Sequence, residues 1–340
     1  MGNVGFVGYY GWERGLCYLM RSYVKMIENE HTVSILKIGN NEIQPEFEVK
    51  AEIESYDNRL NGNRYTVPTE VFRNWIEKNK IEHLFFFEYN QWEKNVDLVG
   101  IANSLGVKTY GCLVYEKFNQ MDFNEYRKYT KLIAPTKFFL SEYRKNGFYN
   151  SYYVPFGIDL NELNESPRKE NSKPQFLHIG GWGGVGNRKN TDIIIKAYQQ
   201  DNFESDLVIL SQREMNLKRE ELIDIINSCD ATILPSRWES TGIPLYESLA
   251  MGKPVICTDM PVFSEVIKEN SNGLLVESTQ KMVKEVNCNS NEVDIEDLAK
   301  KIKIMENKLV REVMSKNALI TAKKYDLNNS KKYLLKIIGD

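Results

Sequence analysis

The sequence predicts two α/β domains, the first a doubly wound parallel sheet. Short apolar runs alternate with longer amphipathic stretches along most of the chain, the pattern of strand-helix units around a parallel sheet. The alternation is interrupted from Asp159 to Pro174 by Asn, Glu, Ser, Lys and Pro with almost no apolar content, the signature of a solvated connection. A length of 340 residues also exceeds what one hydrophobic core usually serves.

In the first domain, Asn3–Tyr9, Thr32–Ile38, His83–Phe87, Lys108–Val114 and Leu132–Ala134 read as strands. Between them, Gly15–Asn29, Thr69–Asn79, Val96–Leu105 and Thr136–Asn146 carry apolar residues at helical spacing. Beyond the connection, strands are expected at Gln175–Ile179, Asp206–Leu210, Ala231–Leu234, Pro254–Cys257 and Gly273–Val276. Helices are expected at Asn190–Gln199, Lys218–Ser228, Pro244–Ala250 and Ser264–Glu269, and the tail from Ile295 is helical by period. Ligands of open parallel sheets bind beyond the carboxyl ends of the strands, so two such domains facing each other would place a cleft between them, suited to an enzyme with two substrates.

Composition narrows the function classes. Hydrophobic residues make up 42% and charged residues 27%, ordinary globular values that favour neither disorder nor membrane embedding. A formal net charge of −3 provides no general attraction to nucleic acid, and a nucleic-acid partner is not expected. The apolar, Gly-rich start lacks a basic leader and a cleavage pattern, and no apolar run approaches the roughly 20 residues that cross a bilayer, so a cytoplasmic protein is expected. Five scattered cysteines and three histidines lack metal-ligand spacing, so reduced thiols and no zinc site are expected.

The most informative stretch runs from Ala231 to Ile256. A buried strand ends at Pro235, a polar loop follows, and a helix starts near Pro244, since proline suits the first helical turn. The amides of Gly242 and Ile243 then have no intrahelical partner and sit at the positive end of the helix dipole, which favours an anion such as a diphosphate. Gly242, lacking a side chain, would let a ligand approach the backbone. Glu239 in the loop and Glu247 in the helix flank this site and can accept hydrogen bonds from sugar or ribose hydroxyls. The plain alternative for Glu247 alone is a favourable partner of the helix dipole.

The whole string, Pro-Ser-Arg-x-Glu-x7-Glu-x4-Gly-x-Pro-Val-Ile, resembles the donor-binding signature of retaining GT-B glycosyltransferases of the family-4 type, the glycosyl transferases group 1. The resemblance extends to Gly273-Leu-Leu-Val and to Val154-Pro-Phe-Gly-Ile-Asp159, which looks like the family's interdomain hinge. It implies two facing Rossmann-like domains: residues 1–158 on the acceptor side, residues 159–325 holding the nucleotide-sugar donor, and residues 326–340 crossing back onto the first domain. It further implies that Glu239 contacts the transferred sugar, that Glu247 holds the ribose hydroxyls, and that Ser240, Thr241, Gly242, Ile243 and Pro244 lie along the phosphate end of the donor.

A second segment, Gly180-Gly-Trp-Gly-Gly-Val-Gly-Asn-Arg188-Lys189-Asn, is a Gly-rich loop between strand and helix; such loops wrap phosphates, though an ordinary flexible loop has the same composition. Lys189 matches the second member of the basic pair that relatives use on the donor phosphates. The first member falls on Gly181-Trp182-Gly183, so Arg188 is the candidate substitute, ahead of Arg213. Between Leu210 and Lys218 the chain is shorter than relatives in the region that helps hold the nucleobase. Gly111-Cys-Leu-Val-Tyr115-Glu116-Lys117 lacks the His that many relatives place near the reacting carbon, which leaves Tyr115 or Glu116 for that role. Gly8, Gly11 and Gly15 allow close approach after the first strand, with Gly11 a donor-side candidate, but they miss the G-x-G-x-x-G fingerprint and disfavour an NAD enzyme.

Tyr9, Tyr10, Trp12, Tyr89, Trp92, Tyr115 and Phe118 cluster near loops, where aromatic faces can stack on an acceptor, although packing explains most of them. Arg127, Lys128 and Lys131 form a basic cluster that could approach a phosphorylated or membrane-bound acceptor, or else a solvated helix face. The expected activity is therefore transfer of a sugar from a UDP- or GDP-linked donor to a hydroxyl of a carbohydrate, lipid-linked or protein acceptor, with peripheral membrane contact as a further expectation. Lys189 and Arg188 would provide the charge, so neither cofactor nor metal is expected. An epimerase of the same fold and a non-catalytic sugar-binding or partner-stabilising protein are the alternatives.

Overall fold

A computed structural model describes residues 2–11, 15–39, 42–57, 59–60, 64–89, 96–163, 171–181, 187–211, 217–283 and 288–339. The chain divides into two compact units, Met1–Gly157 with Leu327–Asp340, and Ile158–Asp326.

The first unit holds a seven-stranded parallel sheet. Its strands are β1 (Asn3–Tyr9), β2 (Thr32–Ile38), β3 (Ala51–Tyr56), β4 (His83–Phe87), β5 (Lys108–Cys112), β6 (Lys131–Ala134) and β7 (Ser151–Tyr153), in the order β3-β2-β1-β4-β5-β6-β7. Strands buried on both faces read as continuous apolar runs, and β1 and β4 do so. Register places Phe6 beside Phe85 and Phe85 beside Tyr110, so their rings stack in a row across β1, β4 and β5 with centroids 5.1 and 4.4 Å apart. Helices α1 (Gly15–Ile27), α2 (Thr69–Lys78), α3 (Leu98–Ser104) and α4 (Lys137–Lys145) connect the strands.

Two edge strands, β3 and β7, were not expected from the sequence. Residues of β3 are exposed or half-buried, and its Glu52 and Glu54 pair with Lys78 at 3.0 and 3.1 Å, so apolar content does not mark it. β7 has three residues. The strand expected over Lys108–Val114 ends at Cys112.

The second unit holds a five-stranded parallel sheet of β8 (Gln175–Ile179), β9 (Asp206–Leu210), β10 (Ala231–Leu234), β11 (Val255–Thr258) and β12 (Gly273–Val276), ordered β9-β8-β10-β11-β12. Its helices are α5 (Thr191–Gln200), α6 (Arg219–Ser228), α7 (Ile243–Ala250), α8 (Ile295–Met305) and α9 (Lys308–Lys324). A core of Phe176, Ile194, Ile233, Ile256, Leu274, Leu298 and Ile302 binds sheet to helices. The helix expected over Ser264–Glu269 lies instead at Pro261–Ser264, because Pro261 starts it. An antiparallel hairpin, β13 (Ser278–Val283) with β14 (Cys288–Val293), follows β12 and was also unexpected. Part of the solvated connection, residues 164–170, lies outside the described residues.

The last helix, α10 (Leu327–Gly339), belongs to the first unit. The buried Lys131 ammonium donates to the Ile337 carbonyl at 2.9 Å near the helix's C-terminal end, and Lys331 pairs with Glu30 of the α1 turn. Ser22 and Tyr23 of α1 donate to the Gly157 and Val154 carbonyls at 2.8 and 2.6 Å, which fixes the unit's last segment.

Candidate functional site

Residues Pro235–Gly242 lead from β10 into α7, which is buried along nearly its whole length. Gly242 caps the helix with φ 73°, a left-handed conformation that favours glycine, and Pro244 occupies the first turn. A Cβ at Gly242 would lie 2.7 Å from the Phe263 ring. The turn and its packing on Phe263 both call for glycine at this position.

Two basic side chains meet the loop. Lys189 Nζ lies 2.5 Å from one oxygen of Glu239, and Arg188 Nη1 lies 2.6 Å from the other. Burial alone would push the Glu239 carboxyl up, but Arg188 and then Lys189 outweigh it and hold it at about 2. Two cations thus share one carboxylate in the loop that leads into α7. The backbone runs together as well: Arg237 N–H donates to the Arg188 carbonyl at 2.8 Å. Asn187 and Asn190 bracket the pair in left-handed conformations, which asparagine tolerates better than most residues. The remainder of the Gly-rich loop, residues 182–186, and Arg213 lie outside the described residues.

Several supports had no signal in the sequence. The Arg237 carbonyl accepts from the Asn291 N–H at 2.9 Å and from its side chain at 2.8 Å, so the hairpin braces the loop. His178, at the carboxyl end of β8, is pushed down to about 4 by burial, so its ring is neutral. Its Nδ1–H donates to the Ile233 carbonyl and its Nε2 accepts from the Thr191 hydroxyl, both at 2.9 Å, fixing the first residue of α5 next to Asn190 and Lys189. Asn190 and Ser236 are each 1% exposed. Neither the Asn190 carboxamide nor the Ser236 hydroxyl has a partner among the described residues, which is costly unless a polar ligand or water supplies one.

Glu247, one turn into α7, has the opposite surroundings. Arg219, the first residue of α6, reaches it with Nη1 at 2.5 Å and reaches Glu162 with Nε at 2.9 Å. This cluster holds two carboxylates and one guanidinium. Among the described residues, no group of three or more His, Cys, Asp or Glu side chains is placed to hold a metal ion.

Residues 212–320 match the family described as glycosyl transferases group 1. That segment is related to the family, and the chain has the GT-B fold. A glycosyltransferase of Sulfolobus islandicus rod-shaped virus 1 is 26% identical over 186 residues, which span 46% of this chain and about half, 55%, of that protein. Solved structures agree over nearly all of the chain. HepE from Anabaena, in complex with UDP and glucose, has a TM-score of 0.73 at 12% identity and is covered in full, as is this chain. A glycosyltransferase from Rickettsia africae has a TM-score of 0.74 at 14% identity, with 99% of this chain and 97% of that one covered.

The remaining candidates of this GT-B chain lie in its first unit. Gly11 has φ 78°, and a Cβ there would lie 3.1 Å from Ile43, so turn and packing account for it. Tyr115 and Glu116 form a single 3-10 turn after β5, with the Tyr115 ring edge-on to Phe138 and Phe139 at 4.9 and 5.6 Å. Tyr10 is fully buried with its hydroxyl on the Phe47 carbonyl, and Phe118 sits in an aromatic cluster; Trp12 and Trp92 lie outside the described residues. The basic cluster is only partly exposed, at Arg127 and Lys128. Arg127 covers the Phe148 ring, Lys128 pairs with Asp97 and Glu125, and Lys131 is buried against α10. No described helix is long and apolar enough to cross a membrane.

Proposed function

We propose that the protein transfers a sugar from a nucleotide-diphosphate sugar to a hydroxyl acceptor, with its second unit binding the donor and its first unit the acceptor. The observation that carries this reading is the meeting of Arg188, Lys189 and Glu239 at the amino end of α7. Two cations in the loop that leads into a helix N-terminus suit a diphosphate, and the buried polar groups of Asn190 and Ser236 beside them suit a polar ligand. Kinship with the group 1 glycosyl transferases and the UDP bound by HepE point the same way.

In the reaction the bond from the anomeric carbon to the β-phosphate oxygen breaks and a bond to the acceptor oxygen forms. Arg188, Lys189 and the amides at Gly242 and Ile243 take up the charge on the departing diphosphate, with Ser240, Thr241 and Pro244 lining it. The acceptor proton passes to the leaving phosphate oxygen, which accounts for same-face attack and retention without a dedicated protein base. Glu239, kept ionised by its two cations, accepts from sugar hydroxyls and faces the positive charge that develops on the sugar ring. Glu247 accepts from the ribose, and Tyr115, Glu116 and Gly11 are assigned to the reaction's first-unit side. Five buried cysteine thiols fit a cytoplasmic setting. The acceptor is a carbohydrate, lipid-linked or protein hydroxyl.

The test is nucleotide release by the pure protein supplied with UDP- and GDP-sugars and a panel of acceptors. Acceptor-dependent release is expected; donor conversion without acceptor would instead identify an epimerase, and no turnover with intact sugar binding a non-catalytic protein.

A further inference from the structure

Glu247 belongs to a buried group of three charges that converge from separate parts of the second unit. Glu162 lies just after the unit begins, Arg219 opens α6, and Glu247 lies in α7. Arg219 is 7% exposed and Glu247 5%. The guanidinium bridges the two acids: Nε goes to Glu162 Oε1 and Nη1 to Glu247 Oε1. One oxygen of Glu247 is therefore committed to Arg219. The other, Oε2, takes no bond from any described residue and remains an acceptor.

We propose that Arg219 is a positioning residue that fixes Glu247 so that its second oxygen accepts from the ribose hydroxyls, and that the Glu162–Arg219–Glu247 bridge thereby sets selectivity for ribose over deoxyribose in the donor. The proposal rests on the donor reading above. Physical reasoning favours arginine for this work. Its planar group can span two carboxylates at fixed angles, whereas an ammonium is a point charge on a flexible stem. Removing it leaves two carboxylates in a buried site without their cation, and one of them then takes a proton or swings toward water. Either outcome removes the aimed, ionised acceptor. A hydroxyl held by a charged acceptor discriminates strongly against an analogue that lacks it, because the acceptor is then left unpaired.

The experiment is calorimetric titration of UDP and GDP, and of their 2′-deoxy and 3′-deoxy analogues, into the full chain and its variants. Wild-type protein is expected to prefer the ribose form of its nucleotide over at least one deoxy analogue by about tenfold or more. Glu247→Gln should bring that ratio to about two, and Arg219→Gln should bring it to within about twofold of the Glu247→Gln value. Arg219→Lys, which restores charge without the span, should recover only part of the preference. Glu162→Gln is the milder variant should Arg219→Gln fail to fold, and it should lower the ratio by about threefold. An Arg219→Gln or Glu162→Gln protein that binds both ribose and deoxyribose nucleotides more weakly but keeps the wild-type ratio would show a purely structural bridge and overturn the proposal alone. A Glu247→Gln protein with an unchanged ratio, or a wild-type protein that binds neither UDP nor GDP, would overturn the donor reading together with it.

Discussion

Glu239 and Glu247 lie eight positions apart in one sequence signature, yet the fold gives them opposite electrostatic surroundings. Glu239 is paired with two cations from the segment before α5. Glu247 shares one guanidinium with a second acid. The difference teaches that two identical side chains in one loop and helix can serve different parts of a ligand. Paired cations near a helix N-terminus suit a diphosphate, and paired carboxylates suit neutral hydroxyls.

The sharpest break in that comparison comes from Lys189→Ala. Loss of one group that stabilises the leaving charge should lower kcat by about 10²–10³-fold in a nucleotide-release assay, with an unchanged circular dichroism spectrum. An unaltered rate would remove Lys189 from the site. Gly242→Ala tests the turn between the two acids. Left-handed strain and contact with the Phe263 ring should cost the second unit about 2 kcal/mol in urea unfolding. The Phe263→Leu background should relieve the contact and leave the strain. Glu247→Gln should weaken donor affinity by about tenfold, roughly 1.4 kcal/mol, while changing kcat little. Equal losses in kcat and affinity would place Glu247 at the reacting centre and erase its distinction from Glu239.

The smallest effects are expected in the pH dependence of stability. Glu239 is lowered in the fold from 4.5 to about 2, so its contribution is complete above pH 4.5 and is lost as pH falls toward 2. His178 is lowered from 6.5 to about 4, so the unfolded chain binds its proton first and stability falls as pH drops from 6.5 to 4. Urea midpoints measured across pH 7 to 3 should therefore show two successive acid limbs. Substitution of His178 by Gln should remove the upper limb only, and Glu239→Gln the lower.

Much of the scaffold was legible before any coordinates. The central strands β1, β4, β8, β10 and β12 are buried, and such strands need nearly unbroken apolar runs. Pro244 and Gly242 marked the start of α7 because proline and glycine each restrict or permit a particular backbone angle. The strands that escaped notice, β3, β7 and the hairpin of β13 and β14, are short, or are polar enough that no period distinguishes them from loop. The hairpin nevertheless braces the site loop at Arg237.

The sequence by itself determined the two α/β units, the loop that joins β10 to α7, and the acids and bases within it, because local periodicity and backbone preference are written in neighbouring residues. Only the tertiary structure decided which charges meet. Glu162 and Arg219 stand 57 positions apart, and Lys189 and Glu239 stand 50 apart. An ion pair needs a distance of a few ångströms and no particular spacing along the chain, so it leaves no period for the eye to find. The same holds for Phe263, whose ring lies where a Cβ on Gly242 would point.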